Sequence, residues 1–515
     1  MIDQETVVID GDDYNIQSGD VICLEAGPKP YLLIRDIDKD DSFNQPVEIR
    51  NHEGQVVFDT DHYYGVSIWN CNNVVLNGKG DPDYNYGIKI ARVSGGTGLS
   101  IEHLSSDVEV KGVEIANTLY AGLVSKTDPF CENGVIQATR SNYIQYNIRI
   151  HDNYIHHTGT EGMYIGSSKY LAGFDVDCGG ETQHVLPHVN SGVKVYNNRV
   201  EFTGWDAIQV SSAVNDCDVY SNYIFHDSEE AAYSQMSGIL IGGGSVCDCY
   251  NNKIIDGKGD GMDILGKGNQ KIYNNLIVNA GQRLNDPQAS KHGIYSDHIY
   301  TENGAFLYFY NNTIIEPKTH GISHRNQEIS TSRAYNNAII KPGDKYIHKE
   351  FESMAMEKRN NYFSQNVYGA GFDSPAGNDF DLNLNSPLIN AGTSVNGLIF
   401  DIENRQRPFA GGMDIGAYEC HKPGVGIGEQ ASKKRLKVFP SPFSNYVTVE
   451  LELKHRSKAE IVIVNALGEK VFRELPGREK NLHSWNLMTA KWKSGVYFFN
   501  VKTGKRVYRG KILKQ

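Results

Sequence analysis

The sequence predicts an all-β chain, a parallel β-helix followed by a small β-sandwich, and three observations carry that prediction. The first is a phrase repeated from Gly192 to Asn275: GVKVYNNRVEFTGWDAIQV, DVYSNYIFHDSEEAAYSQMSGILIG, DCYNNKIIDGKGDGMDILG, KIYNNLIV. Each copy has an alternating apolar strand, a Tyr-Asn-Asn or Tyr-Ser-Asn corner, a second apolar run, a polar turn and a small residue that opens another strand. The second is the period. The corner's second Asn falls at Asn153, Asn198, Asn222, Asn252, Asn275, Asn312, Asn337 and Asn361, about two dozen residues apart except where insertions such as Gly166 to Asn190 or Gln282 to Lys291 intervene. Strand alternation at a fixed period, without 3.6-residue periodicity, is what a stacked solenoid needs. The third is the change after residue 434, where about seven short strands with regular turns replace the repeat and suggest a sandwich.

Coils stacked at about 4.8 Å place equivalent residues above one another. The corner Asn can then pass its side-chain amide hydrogen bond to the next coil. It can also serve by tolerating left-handed turn geometry.

Composition excludes several function classes. The net charge is -12, which argues against nucleic acid as a partner, since phosphate binding is driven by basic surfaces. No window of about 20 apolar residues offers a transmembrane segment, and the protein is expected to act as a monomer. Eight cysteines show no zinc spacing. Aligning the Tyr corners puts Cys217 over Cys247, either a stacked pair of buried thiols or a disulfide between coils; the thiol reading is preferred, because buried free Cys packs as a small hydrophobe. Met1 begins directly on polar sequence, so a signal peptide is absent from this chain: either it has been removed or the protein is not exported.

In chain order, residues 5–60 read as strands. The phrase Gly19, Asp20, Val21, Ile22, Cys23, Leu24, Glu25, Ala26, Gly27 resembles the opening of secreted right-handed β-helix proteins, which implies that hand for the solenoid. The run Asp36, Asp38, Asp40, Asp41 lacks the Gly and distal Glu of a calcium loop and reads as a solvated turn.

From about 61 to 350, a strand opens at Gly65, Gly87, Gly122, Gly162, Ala207, Gly238, Gly261, Gly293 and Gly321. Its second residue is apolar and faces the core, so the third faces outward: Ser67, Lys89, Val124, Tyr164, Gln209, Leu240, Asp263, Tyr295 and Ser323. The residue before the small one runs Tyr64, Tyr86, Ala121, Glu161, Asp206, Ser237, Asp260, His292 and His320. Three carboxylates and two imidazoles thus share one column.

Glycoside hydrolysis needs two carboxyl groups, roughly 5 Å apart for a covalent intermediate or roughly 6.5 to 9.5 Å apart when water attacks directly. Candidate catalytic residues are therefore Glu161, Asp206, Asp260 and Asp263, with like charges splitting their pKa values. Tyr164, Trp205 and Tyr295 offer stacking faces, and Gln209, His292, His320, His324 and Arg325 offer polar contacts to sugar. Set against this, Asp and Glu commonly end polar turns by satisfying backbone N–H groups.

A second reading is β-elimination from a uronic-acid polymer, with Lys126, Lys291, Lys318, His324 or Arg325 as base or cation and calcium possible on the acidic column. A third is a non-catalytic carbohydrate-binding or adhesion protein. Hydrolysis requires no cofactor.

Residues 381–420 contain Ser386, Pro387, Asn390, Ala391, Gly392, then Asp401, Arg405, Arg407, Pro408, then Asp414, Ile415, Gly416, Ala417, Tyr418, Glu419. They resemble the closing segment of secreted bacterial right-handed β-helix proteins. The resemblance implies that they cap the last coil and protect open sheet edges. Residues 421–434 read as a linker.

From 435 to 515, Val438, Pro440, Pro442, Phe443, Asn465, Gly468, Val471, Gly495, Val496, Tyr497, Lys511 and Lys514 resemble the C-terminal sorting domain of the type IX secretion system of Bacteroidota, with Ser441 where that family usually has Asn. The resemblance implies export by that machinery, a secreted or surface-attached product, and surroundings that permit disulfides such as Cys131 with Cys178; a polysaccharide substrate is expected instead from the resemblance to secreted β-helix proteins and from the acidic column.

Overall fold

A computed structural model describes residues 1–297, 301–351, 353–409, 411–422, 436–439, 443, 445–465, 469–475, 477–504 and 506–514. It divides into two compact units, Met1–Val425 and Gly426–Gln515. Most of the expected linker 421–434, and Pro440, Ser441, Pro442 and Gly468, lie outside the described residues.

The first unit is a right-handed parallel β-helix. Right-handed crossovers are what twisted parallel strands favour. Each coil contributes to three ladders of parallel strands. One is a twelve-stranded sheet running from Val8–Asp10 to Ile347–Lys349. The other two are joined through the long strand Val47–Thr60, which pairs with Val74–Asn77 along its first half and with Ile88–Val93 along its second. Inward-facing Ile, Val and Leu fill the space between ladders and form one continuous apolar core from Ile2 to Ile339.

The corner between the two joined ladders divides labour between its two polar residues. The first sits in the left-handed region, with φ of 54° at Asn197, 57° at Asn251 and 53° at Asn274. The second forms the ladder: Nδ2 donates to the next coil's Oδ1 at 3.1 Å for Asn153 to Asn198, then at 3.0 Å for Asn198 to Asn222, Asn222 to Asn252 and Asn252 to Asn275. The ladder continues through Asn312 and Asn337 to Asn361. Beside it Tyr196, Tyr220, Tyr250 and Tyr273 stack at 4.8 to 4.9 Å with nearly parallel rings. Both expected uses of the corner Asn occur, on neighbouring residues.

Two inserted hairpins, Phe130–Glu132 with Val135–Gln137 and Phe174–Cys178 with Glu181–Val185, are joined by a Cys131–Cys178 disulfide. Cys217 and Cys247 are also disulfide-bonded, which corrects the stacked-thiol expectation. The register was as aligned, since the two residues are direct partners in paired strands. A Cα–Cα distance of 4.5 Å is within bridging range.

The segment expected to cap the last coil lies along the flank of one ladder. Strands Lys253–Ile255, Leu276–Val278, Thr313–Ile315 and Ala338–Ile340 are apolar at successive positions because both their faces are covered. Their outer residues pack with Phe380, Leu388, Ile402, Ile415 and Tyr418. A buried polar network gives the segment its shape. Arg407, fully buried, donates to the Gly416 carbonyl at 2.8 Å, and Asp401 accepts from Arg405 Nε and from the Glu419 N–H, both at 2.8 Å.

Near the N-terminus, Asp40 and Asp41 are exposed as a solvated turn requires, but Asp38 is buried and accepts from the N–H groups of Ser42 and Phe43.

The second unit has a three-stranded and a four-stranded antiparallel sheet, with Val447, Val449, Ile461, Ile463, Trp485, Phe499 and Val501 packed as a sandwich core.

Candidate active site

The twelve-stranded sheet carries the acidic column. Tyr164 pairs with Gln209, Gln209 with Leu240, Leu240 with Asp263, Asp263 with Tyr295, and Tyr295 with Ser323. Three residues before them, Ser237 pairs with Asp260, while the N–H groups of Gly162, Ala207 and Gly261 donate to the carbonyls of Asp206, Ser237 and His292. Glu161, Asp206, Ser237, Asp260, His292 and His320 therefore do stand in consecutive coils.

One member of each column is corrected. Gly87 opens Ile88–Val93, a strand of the joined ladders, so Tyr86 and Lys89 are on another face. Their places belong to Thr97 and Ser100.

Asp206 is fully buried; its Oδ1 accepts from Ser237 Oγ at 2.8 Å, and its Oδ2 has no partner. Burial, with Glu161 and Asp227 adding negative charge nearby, pushes its carboxyl up to about 8. Burial also raises Glu161, which is 5% exposed. Asp260 accepts from Lys291 Nζ at 2.8 Å and from the His292 N–H. Asp263, on the same strand and partly exposed, has a buried Oδ1 without a partner. Burial first, and then the Asp260 charge, raises it well above the carboxylate range. Burial pulls Lys291 down, but Asp260 and Asp263 outweigh it and hold the ammonium above its ordinary value.

Around this core, His292 stacks on His320 at 4.9 Å and lies 5.7 Å from Tyr295. Burial takes both imidazoles down to about 4, so they are neutral at pH 7. Tyr295 donates to Asp297 at 2.6 Å and receives Arg325 Nη1 at 3.4 Å. Tyr164 has Lys126 Nζ 5.0 Å from its ring centroid. Gln209 faces outward by alternation yet is 1% exposed, with an unpartnered Oε1. Trp205 is partly exposed on the turn beside Asp206.

His324, expected as a polar contact to sugar, lies on the inner side of the strand. It follows outward-facing Ser323, points inward, and is held by Ser296 Oγ at 2.8 Å and Ser332 Oγ at 2.9 Å. Among the proposed bases, Lys126 pairs with Asp128 at 2.9 Å, and Lys318 donates to the carbonyls of Leu284 and Asp286 in the inserted turn. Lys291 alone of the three reaches the acidic core.

Sequence reasoning missed Asp227. It is 1% exposed, accepts from Ser228 Oγ at 2.7 Å and the Gly259 N–H at 3.2 Å, has an unpartnered Oδ2, and is raised by burial to about 6. It sits on a turn after Tyr223–Phe225, at no position of either column. Among the described residues no three His, Cys, Asp or Glu side chains converge to hold a metal ion.

Residues 437–515 match the family of secretion system C-terminal sorting domains, which marks the chain for export from the cell or to its surface. Among described helices none is long and apolar enough to cross a membrane. Three solved structures are similar. A pectate lyase, Pel9A, shares 12% identity over 78% of this chain and 88% of its own, with a TM-score of 0.42. The periplasmic alginate epimerase AlgG, as a double mutant, shares 11% over 70% and 76%, at 0.35. The A-module of the Azotobacter vinelandii mannuronan C-5 epimerase AlgE4 shares 13% over 67% and 88%, at 0.29. No curated protein matches the sequence.

Proposed function

We propose that the β-helix unit is a secreted polysaccharide-active enzyme, a glycoside hydrolase that works through the carboxyl groups of the twelve-stranded sheet. The observation that carries this reading is Asp206: a carboxyl pushed up to about 8, with one oxygen free, two coils from the Asp260–Asp263 pair. At pH 7 it is protonated and fit to donate to a glycosidic oxygen. Two strand spacings of about 4.8 Å put acid and base near the upper end of the separation that leaves room for a water and favours direct attack with inversion. The Asp260–Asp263 pair supplies the base. Burial raises Asp260, and Lys291, held protonated, works against that rise by favouring the ionised form. The reaction needs no cofactor, and calcium is given no role.

Lys291 also supports a second reading, β-elimination with this lysine as the base. Against it, the neighbouring carboxylates keep the ammonium charged, and they would repel a uronate.

The test is incubation with a panel of plant and algal polysaccharides, following reducing ends and the absorbance of unsaturated uronates. Reducing ends without unsaturation, lost in Asp206→Asn and Asp260→Asn, support the hydrolase. Unsaturated product moves the assignment to elimination. Silence across the panel, with retained binding, leaves a carbohydrate-binding protein.

A further inference from the structure

The turn that precedes the acidic column carries a second ladder. Thr97, Tyr120, Thr160, Trp205 and Thr319 donate their backbone N–H groups to Tyr63, Gly96, Tyr120, Thr160 and Lys291, so Tyr63, Gly96, Tyr120, Thr160 and Trp205 follow one another in consecutive coils. Aromatic rings occupy alternate places, with a small residue between each pair. Tyr63 is 79% and Tyr120 55% exposed, and Trp205 is partly exposed. At Gly96 a Cβ would lie 2.1 Å from the Tyr63 carbonyl oxygen, so no side chain can enter that gap. Past Trp205 the row continues through buried Met236, then Gly259 and partly buried Lys291, and offers no further ring.

Single exposed aromatics are ordinary on protein surfaces. Three at a constant step of two strand spacings, roughly 10 Å, ending at the neighbour of Asp206, are a track. An extended glycan with a two-fold repeat turns the same ring face to one side at every second sugar, and the apolar face of a pyranose ring fits flat against Tyr or Trp. The net charge of -12 selects against an anionic chain.

We propose that Tyr63, Tyr120 and Trp205 bind a neutral, extended glycan by stacking on every second sugar, and that the chain runs from the acidic core toward the N-terminal coils only. This rests on the polysaccharide reading above, not on the hydrolytic step.

The experiment is affinity electrophoresis of the full chain in gels containing neutral glucans, xylans or mannans, and separately alginate or pectate. Tyr63→Ala, Tyr120→Ala and their double variant are compared with wild type. Tyr233→Ala, which removes a ring 96% exposed but outside the row, is the control. The result expected is retention of wild type by a neutral glycan, a loss of at least fivefold in the double variant that grows with glycan chain length, and no change in the control. Equal retention of double variant and wild type, no retention by any neutral glycan, or retention by the anionic gels alone would each overturn the track. If no glycan is cleaved but tyrosine-dependent retention persists, the hydrolase reading falls and the track stands.

Discussion

Lys291 Nζ lies 2.8 Å from Asp260 Oδ2, and the two side chains are 15% and 7% exposed. A pair this buried repays its desolvation only while both partners are present. Lys291→Met keeps the length of the stem but leaves Asp260 beside Asp263 with no counter-charge. The variant should lose about 3 kcal/mol at pH 7. Without its partner Asp260 takes up a proton in the fold, whereas in the unfolded chain it is ionised above about pH 4, so the loss should shrink as pH falls to that value. Denaturant titrations at pH 4.5 and 7.5 check both statements; a loss independent of pH would mean that Lys291 contributes packing alone.

Asp206 sets the opposite limb of the pH dependence. Its folded value is raised to about 8, above that of the unfolded chain, so its contribution is fully present below about pH 4 and is lost as pH rises toward 8. In that window it should tilt stability downward by up to about 1.4 kcal/mol per pH unit. Asp206→Asn removes the titration while keeping an acceptor for Ser237 Oγ. The variant should therefore gain on wild type in thermal midpoint between pH 5 and 8, while losing hydrolysis. Parallel midpoint curves for the two proteins would show that Asp206 is ionised throughout.

The columns were legible because alternation and period act on every coil alike. Gly87 escaped this rule: Gly-Ile-Lys-Ile fits an inward-facing strand of any ladder, and only its pairing with Val56–Phe58 shows which face it serves. His324 was readable, since an outward Ser323 already requires an inward neighbour. Asp227 was not, because a turn on one ladder reaches the next only once the coil has closed. The strands around Leu276 and Ile340 signalled a covered outer face by their continuous apolar runs, though not that residues 381–420 would be what covers them.

Ladder asparagines should be worth more in the middle than at the end. Asn252 Oδ1 accepts from the N–H and Nδ2 of Asn222, and its Nδ2 donates to the Val219 carbonyl and to Asn275. Asn252→Ala orphans buried groups in both adjoining coils and should cost about 3 kcal/mol. Asn361 is partly exposed, so water can replace its bonds, and Asn361→Ala should cost about 1 kcal/mol. Denaturation midpoints compare the two; equal losses would indicate that the chain senses only the corner geometry.

The Cys217–Cys247 bridge makes the sharpest claim about chemistry, because stacked thiols and a disulfide share one register. With Cys131–Cys178 also bridged, Cys23, Cys71, Cys249 and Cys420 are the free thiols. Alkylation of the unfolded, unreduced protein should therefore add four labels by mass. Six would restore the thiol pair at one of the two sites. The bridge spans 30 residues of sequence, and closing such a loop in the unfolded chain is worth about 3.6 kcal/mol. A Cys217→Ala/Cys247→Ala double variant should melt lower by that amount under oxidising conditions and match reduced wild type when the other bridge is reduced in both. That equality separates the effect of the covalent link from the small packing loss of two sulfur atoms.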